Sequence, residues 1–162
     1  MSTSKFQKLV NNNFLFRFYL LKSLPLAFVA GIRVKELINE SCVTTVKYCW
    51  LTQNPFRSMY FACQTMAAEM STGLLLINHI YKSTPRVSML IVQNKAVYHK
   101  KAVGRITFVC LDGTAIFESI NKAKSTSESV LIDTIAIGKD ESGDIVAEFT
   151  FTWSVKIKNK NI

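Results

Sequence analysis

The chain has 162 residues, 49 % of them hydrophobic and 19 % charged. That length suits one domain with a proper core, and the composition excludes a disordered chain. A formal net charge of +9 leaves three partner classes to weigh: nucleic acid, a membrane surface or a phosphorylated small molecule.

Residues 1–25 begin polar and turn apolar and aromatic. Phe14, Phe18 and Leu21 recur at helical spacing beside Arg17 and Lys22, which predicts one amphipathic helix ended by Pro25. Its expected role is a lid packed on the domain; membrane-surface binding ranks behind that. The same bases interrupt Phe14–Gly31, and no small-residue cleavage site follows, so no secretory signal is expected.

Two extended segments come next, Phe28–Asn39 and Cys42–Trp50, joined by a turn at Asn39-Glu40-Ser41. Cys42, Thr44, Val46, Tyr48 and Trp50 are expected on one face of the second. Asn54-Pro55 marks a loop. Ser58 is the predicted N-cap of a helix reaching Tyr81. Small residues crowd that helix and apolar ones lie on nearly every side, as in a helix surrounded by protein. Its only formal charge is Glu69. Gln64, Thr65, Ser71, Thr72 and Asn78 make it too polar for a membrane span.

The second half is mainly strand: Val87–Val92 running on towards His99, Ala102–Leu111, Val130–Gly138 and a last strand from Ile145. Thr114–Lys124 reads as a short helix or a turn. In the last strand Ile145, Ala147, Phe149, Phe151, Trp153, Val155 and Ile157 alternate with mostly polar residues, which predicts one buried face. One long buried helix and a run of antiparallel strands share a core only if the sheet curls around the helix. The expected class is therefore α+β: a hotdog fold, with a curved antiparallel sheet wrapped around a central helix and an additional N-terminal helix. Expected boundaries are 1–25 for the helical segment, 26–158 for the hotdog domain and 159–162 for a tail.

Charge is uneven along the chain. Between Met70 and Leu111 there are six bases and no acid, whereas Asp112 to Glu148 holds eight acids. The bases are interleaved with strand-like sequence rather than gathered on a helix or arm, and no nucleotide-binding loop appears. Nucleic acid therefore ranks low. Cys42, Cys49, Cys63 and Cys110 form no C-x-x-C pair and are expected as free thiols in a cytoplasmic protein. His79 and His99 join no metal motif, and no metal or cofactor is expected.

The segment from Asn54 to Glu69 resembles the helix region of hotdog-fold acyl-CoA thioesterases of the phenylacetate-pathway type. More closely, it is similar to an uncharacterised hotdog family placed near them. Those enzymes carry an Asn, a loop Gly, then His-Gly-Gly opening the helix and an acid nine residues after the His. Here Asn54 matches the Asn, and Glu69 lies nine residues after Tyr60. Tyr60-Phe61-Ala62 replaces His-Gly-Gly, and Arg57 replaces the loop Gly. The resemblance covers about Leu26 to Lys158.

The resemblance implies a thioesterase acting on an acyl-CoA or another acyl thioester, with coenzyme A only as part of the substrate. Glu69 would be base or nucleophile, and Asn54 would orient water. The backbone amides at Tyr60, Phe61 and Ala62 would hold the oxyanion, as a helix N-terminus can. Gln64 and Thr65 would touch the ligand, and Lys100 and Lys101 would meet the phosphates. It also implies a site between subunits, in a homodimer or a dimer of dimers.

Each role has a plainer alternative. Glu69 as a structural acid paired with a Lys or Arg stays open. Asn54 as a turn residue, Tyr60 as packing, Gln64 and Thr65 as internally satisfied groups, and the lysines as solvated strand ends stay open too. A non-catalytic hotdog protein binding an acyl group or lipid is the alternative function. A dehydratase on the same fold ranks last, because no His precedes Asn78.

Overall fold

The computed structural model describes residues 4–158, and the tail expected over 159–162 lies outside them. Helix α1 (Lys5–Asn11) opens with a reciprocal capping box between Ser4 and Gln7. Asn12 ends it and caps α2 (Asn13–Ser23), its side chain accepting from the Phe14 and Leu15 amides. The single helix expected here is thus broken, because an Asn between two apolar runs supplies the cap for a new start. Pro25 then begins a third short helix, α3 (Pro25–Val29), where its fixed φ and missing N–H suit the first turn.

Strand β1 (Arg33–Leu37) therefore starts later than Phe28. It pairs with β2 (Cys42–Lys47). Trp50 is no strand residue. It opens a 3-10 turn, Trp50–Thr52, and is 79 % exposed. The Thr52 hydroxyl fixes that turn, accepting from the Cys49 amide at 2.9 Å and donating to the Lys47 carbonyl at 2.9 Å.

Helix α4 (Phe61–Ile80) is the long central helix. It packs on β1, β2, β4 (Arg105–Cys110), β5 (Val130–Lys139) and β6 (Ile145–Ile157). One helix touches that many strands only because the sheet bends around it. All pairings are antiparallel, in the order β1-β2-β4-β5-β6-β3, with β3 (Val87–Tyr98) at the far edge. The β6 alternation holds in the middle of the strand, where Ala147, Phe149, Phe151, Trp153 and Val155 are buried against the helix side, whereas Ile145 is exposed and Ile157 half-buried at the strand ends, beyond the cover of the helix.

The ambiguous segment is a full helix, α5 (Gly113–Thr126), which buries Ile116, Ile120 and Ala123 against α4, β5 and β6. Gly113 permits its close approach to the β1–β2 turn, since a Cβ there would lie 2.1 Å from the Asn39 carbonyl oxygen.

The N-terminal segment packs on the domain through a stripe that the spacing of Phe14, Phe18 and Leu21 does not mark. Phe16 and Leu20 are the buried residues of α2, whereas Phe14, Phe18 and Leu21 face outward. Both stripes are apolar, and the sequence pattern alone does not say which is inward.

Candidate active site

Asn54 builds the loop that leads into α4. Its carboxamide oxygen accepts from the Phe56 amide at 2.9 Å and the Ser58 amide at 3.3 Å. Its nitrogen donates to the Ser58 hydroxyl at 3.1 Å and the Met59 carbonyl at 3.4 Å. Ser58 is therefore held by Asn54 and does not cap the helix. Gln53 and Met59 form an isolated antiparallel bridge, which keeps the chain extended until Tyr60 and delays the helix start to Phe61.

No side chain caps α4. The Tyr60 amide donates to the Thr52 carbonyl at 2.7 Å, so it is not an oxyanion donor. The Phe61 and Ala62 amides donate to no acceptor among the described residues, and these two remain of the three expected. The Tyr60 and Phe61 rings stack edge to face at 4.9 Å over this entrance, and Phe61 is 54 % exposed.

Beside it lies a cleft of about 320 Å³. It brings together Asn54, Phe61, Gln64, Lys100 and Lys101 from the predicted set, and adds Tyr98 and His99. Gln64 is only 4 % exposed, yet its side-chain oxygen accepts no hydrogen bond among the described residues. A buried amide oxygen without a donor costs free energy, of order 1–3 kcal/mol. Thr65 is satisfied within the helix, its hydroxyl donating to the Phe61 carbonyl at 3.0 Å.

The two lysines differ. Lys100 is held by Asp140 at 2.7 Å and Asp144 at 2.8 Å, in the turn between β5 and β6. Hydrogen bonding to Asp140, then to Asp144, raises its pKa. Its charge is already answered. Lys101 makes no ion pair among the described residues. His99 pairs with Glu148 at 2.9 Å, and His79 bonds the Asn39 carbonyl oxygen at 2.8 Å, tying the end of α4 to the β1–β2 turn. Among the described residues no group of His, Cys, Asp or Glu is arranged to hold a metal ion.

Glu69 is not in the cleft. It lies about 10 Å along the helix axis from Ala62, on the same face. Its carboxylate turns the other way, over Gly73: a Cβ on that glycine would sit 2.9 Å from Glu69 Oε1 and 3.4 Å from the Trp153 ring. Burial raises its pKa. The carboxylate has no hydrogen bond and no ion pair among the described residues. The structural alternative of a Lys or Arg partner therefore has no support within one chain. Beyond Trp153 and its strand β6 there is only β3, the sheet edge. The glycine four residues after the acid was the sequence signal for this seat. Tyr98, His99 and Trp153 had none, since long-range pairing brings them in.

A family model, Domain of unknown function (DUF4442), matches residues 13–155. The chain belongs to the DUF4442 family. No curated protein matches it. Among solved structures, a Pseudomonas aeruginosa protein of unknown function, described as a probable thioesterase, is 17 % identical with a TM-score of 0.74, covering 98 % of this chain and 97 % of its own. The Escherichia coli PaaI protein of the phenylacetic acid degradation operon is 9 % identical, with a TM-score of 0.63 over 93 % and 96 % of the two chains. A mutant of a thioesterase enzyme from Staphylococcus aureus is 14 % identical, with a TM-score of 0.59 over 85 % and 98 %. At these identities the likeness is one of fold. This DUF4442 chain has the hotdog fold, as its sequence led one to expect.

Proposed function

We propose that this DUF4442 protein is a thioesterase for an acyl-CoA or another acyl thioester, with Glu69 as general base or nucleophile. The observation that carries the proposal is the Glu69 carboxylate: half-buried, raised in pKa by desolvation, and without a partner among the described residues. A structural acid is normally paired when buried, and a raised carboxylate pKa suits a general base. The names of the fold neighbours agree with this activity.

Glu69 and the free Phe61 and Ala62 amides are too far apart in one chain to act on one carbonyl. A second copy added across β3 would cover the open side of α4 and bring its own cleft towards Glu69. In that arrangement the amides of one protomer polarise the thioester carbonyl and Glu69 of its partner activates water. Asn54 holds the loop in shape, and its amide group borders the water site. Gln64 gains a donor from the ligand, and Lys101, rather than the neutralised Lys100, meets a phosphate. Coenzyme A is substrate here, not a cofactor.

The test is hydrolysis of acyl-CoAs of graded chain length by wild type and Glu69→Gln, with free thiol detected. Loss of the base lowers turnover about 10²–10⁴-fold, with folding intact. Equal turnover in both removes Glu69 as the catalyst. One observation favours a second function, a non-catalytic acyl or lipid binder: the aromatic pair Tyr60-Phe61 narrows the entrance where the resembling enzymes have His-Gly-Gly. Binding of acyl-CoA by wild type without thiol release selects it.

A further inference from the structure

Residues 1–35 hold six bases, Lys5, Lys8, Arg17, Lys22, Arg33 and Lys35, and no acid. On α2 the outward residues Phe14, Phe18 and Leu21 form a stripe at helical spacing, and Phe14 is 71 % exposed. The stripe continues through Leu24, Leu26 and Val29 around α3, all exposed, with Leu26 at 74 %. The inward residues Phe16 and Leu20 already fix the helix to the domain, so the outer stripe is not needed for packing. Helical geometry puts Arg17 on one flank of the stripe and Lys22 on the other.

Between α2, α3 and β1 lies an open groove of about 450 Å³, walled by Phe14, Phe18, Leu21 and Phe28, with Arg17 and Arg33 at its sides. The Arg17 guanidinium is held in place, 3.9 Å over the Phe28 ring and donating to the Phe28 carbonyl at 3.3 Å. Helix α2 packs by β1, at the sheet edge opposite β3. Pairing of two copies through β3 leaves this face open.

We propose that the α2–α3 face docks on an anionic lipid bilayer surface. Phe and Leu enter the headgroup–acyl boundary, Lys22 and Arg33 snorkel to the phosphates around them, and Arg17, held on Phe28, offers them its remaining N–H donors. Charge decides the occupant. The face is apolar with bases on its flanks and no acid lines its groove, Glu36 lying further along β1, which complements the negative potential of an anionic leaflet. It lies on the membrane without spanning it, since no helix among the described residues is long and apolar enough to cross one.

Vesicle flotation of the full chain tests this, with phosphatidylcholine vesicles and mixed phosphatidylcholine–phosphatidylglycerol vesicles. Wild type floats with the mixed vesicles, poorly with phosphatidylcholine alone, and less as salt rises. Phe18→Ser with Leu21→Ser abolishes flotation. Lys22→Gln, at an exposed position, lowers partitioning about fivefold. Three results overturn the proposal: wild type staying with the lipid-free fraction, the double serine variant floating like wild type, or equal flotation with both vesicle types. Absence of flotation together with a lower oligomeric mass of the serine variant assigns the face to a second copy instead.

Discussion

At Glu69 a half-buried carboxylate has lost part of its contact with water. Burial raises its pKa above the ordinary value of 4.5, so the folded chain holds the proton more tightly than the unfolded chain. Stability is then greatest below the unfolded value and falls as pH rises through the folded one. Glu69→Gln is expected to melt higher than wild type at neutral pH, with the gap closing as pH falls towards the ordinary carboxylate value. Thermal melts at the two ends of that window check this; equal melting of both proteins throughout means the acid is not desolvated. Arg57 poses a backbone question. It has φ +57, where a side chain crowds the carbonyl and glycine does not. The resembling enzymes have a glycine there. Arg57→Gly relieves that crowding but adds unfolded-state entropy, so a net gain of about 0.5–1 kcal/mol is expected in denaturant unfolding. A loss of stability would show that the Arg57 side chain, exposed as it is, contributes more than its backbone costs.

Among the elements, α4 carries the proposed base, and Gly73 sets how that acid lies. Alanine at that position favours the helix by about 1 kcal/mol, and the nearest clash is with the end of a flexible Glu side chain. Gly73→Ala is therefore expected to keep or raise the melting temperature while pushing Glu69 off the Trp153 ring. Thioester turnover should fall more than substrate binding, and unchanged turnover would mean that the Gly73 seat is not the working position of the acid. What the sequence made legible follows from the same elements. The period-two pattern of β6 and the crowding of small residues in α4 state their burial directly, and with them the wrap of sheet around helix. Helix α5 was obscure because only Ile116, Ile120 and Ala123 mark its inner side among lysines, serines and threonines. The facing of α2 is not legible because apolar residues lie on both sides of it. At the site, Glu69 stood out by being the lone charge of its helix, and Asn54 by its motif position. The answered charge of Lys100 and the lost amide of Tyr60 depend on Asp140, Asp144 and Thr52, which only the folded chain brings near.

For the whole molecule, the decisive feature is the unequal pair of sheet edges. Strand β1 is five residues long and packs beside α1. Strand β3 is twelve residues long, and Leu90, Val92, Val97 and Tyr98 are exposed along it. Its inward face is open as well: Asn94, Ala96 and Tyr98 pair with Phe151, Phe149 and Ala147 of β6, yet are exposed. A long apolar edge with free backbone groups invites another strand, and on the proposed reading a copy of the chain, related by a two-fold axis, would supply one. Leu90→Lys with Val92→Lys places two like charges on that edge and faces them with two more in the partner. Light scattering is expected to show wild type at twice the 18.3 kDa chain mass, or a multiple of that, and the double lysine variant at the chain mass. Because Glu69 and the Phe61–Ala62 amides would meet only between copies, the variant should also lose thioester turnover while Asn54, Gln64 and Glu69 remain in place. A monomeric variant with full turnover would put the complete site within one chain, and a monomeric wild type would remove the shared site altogether.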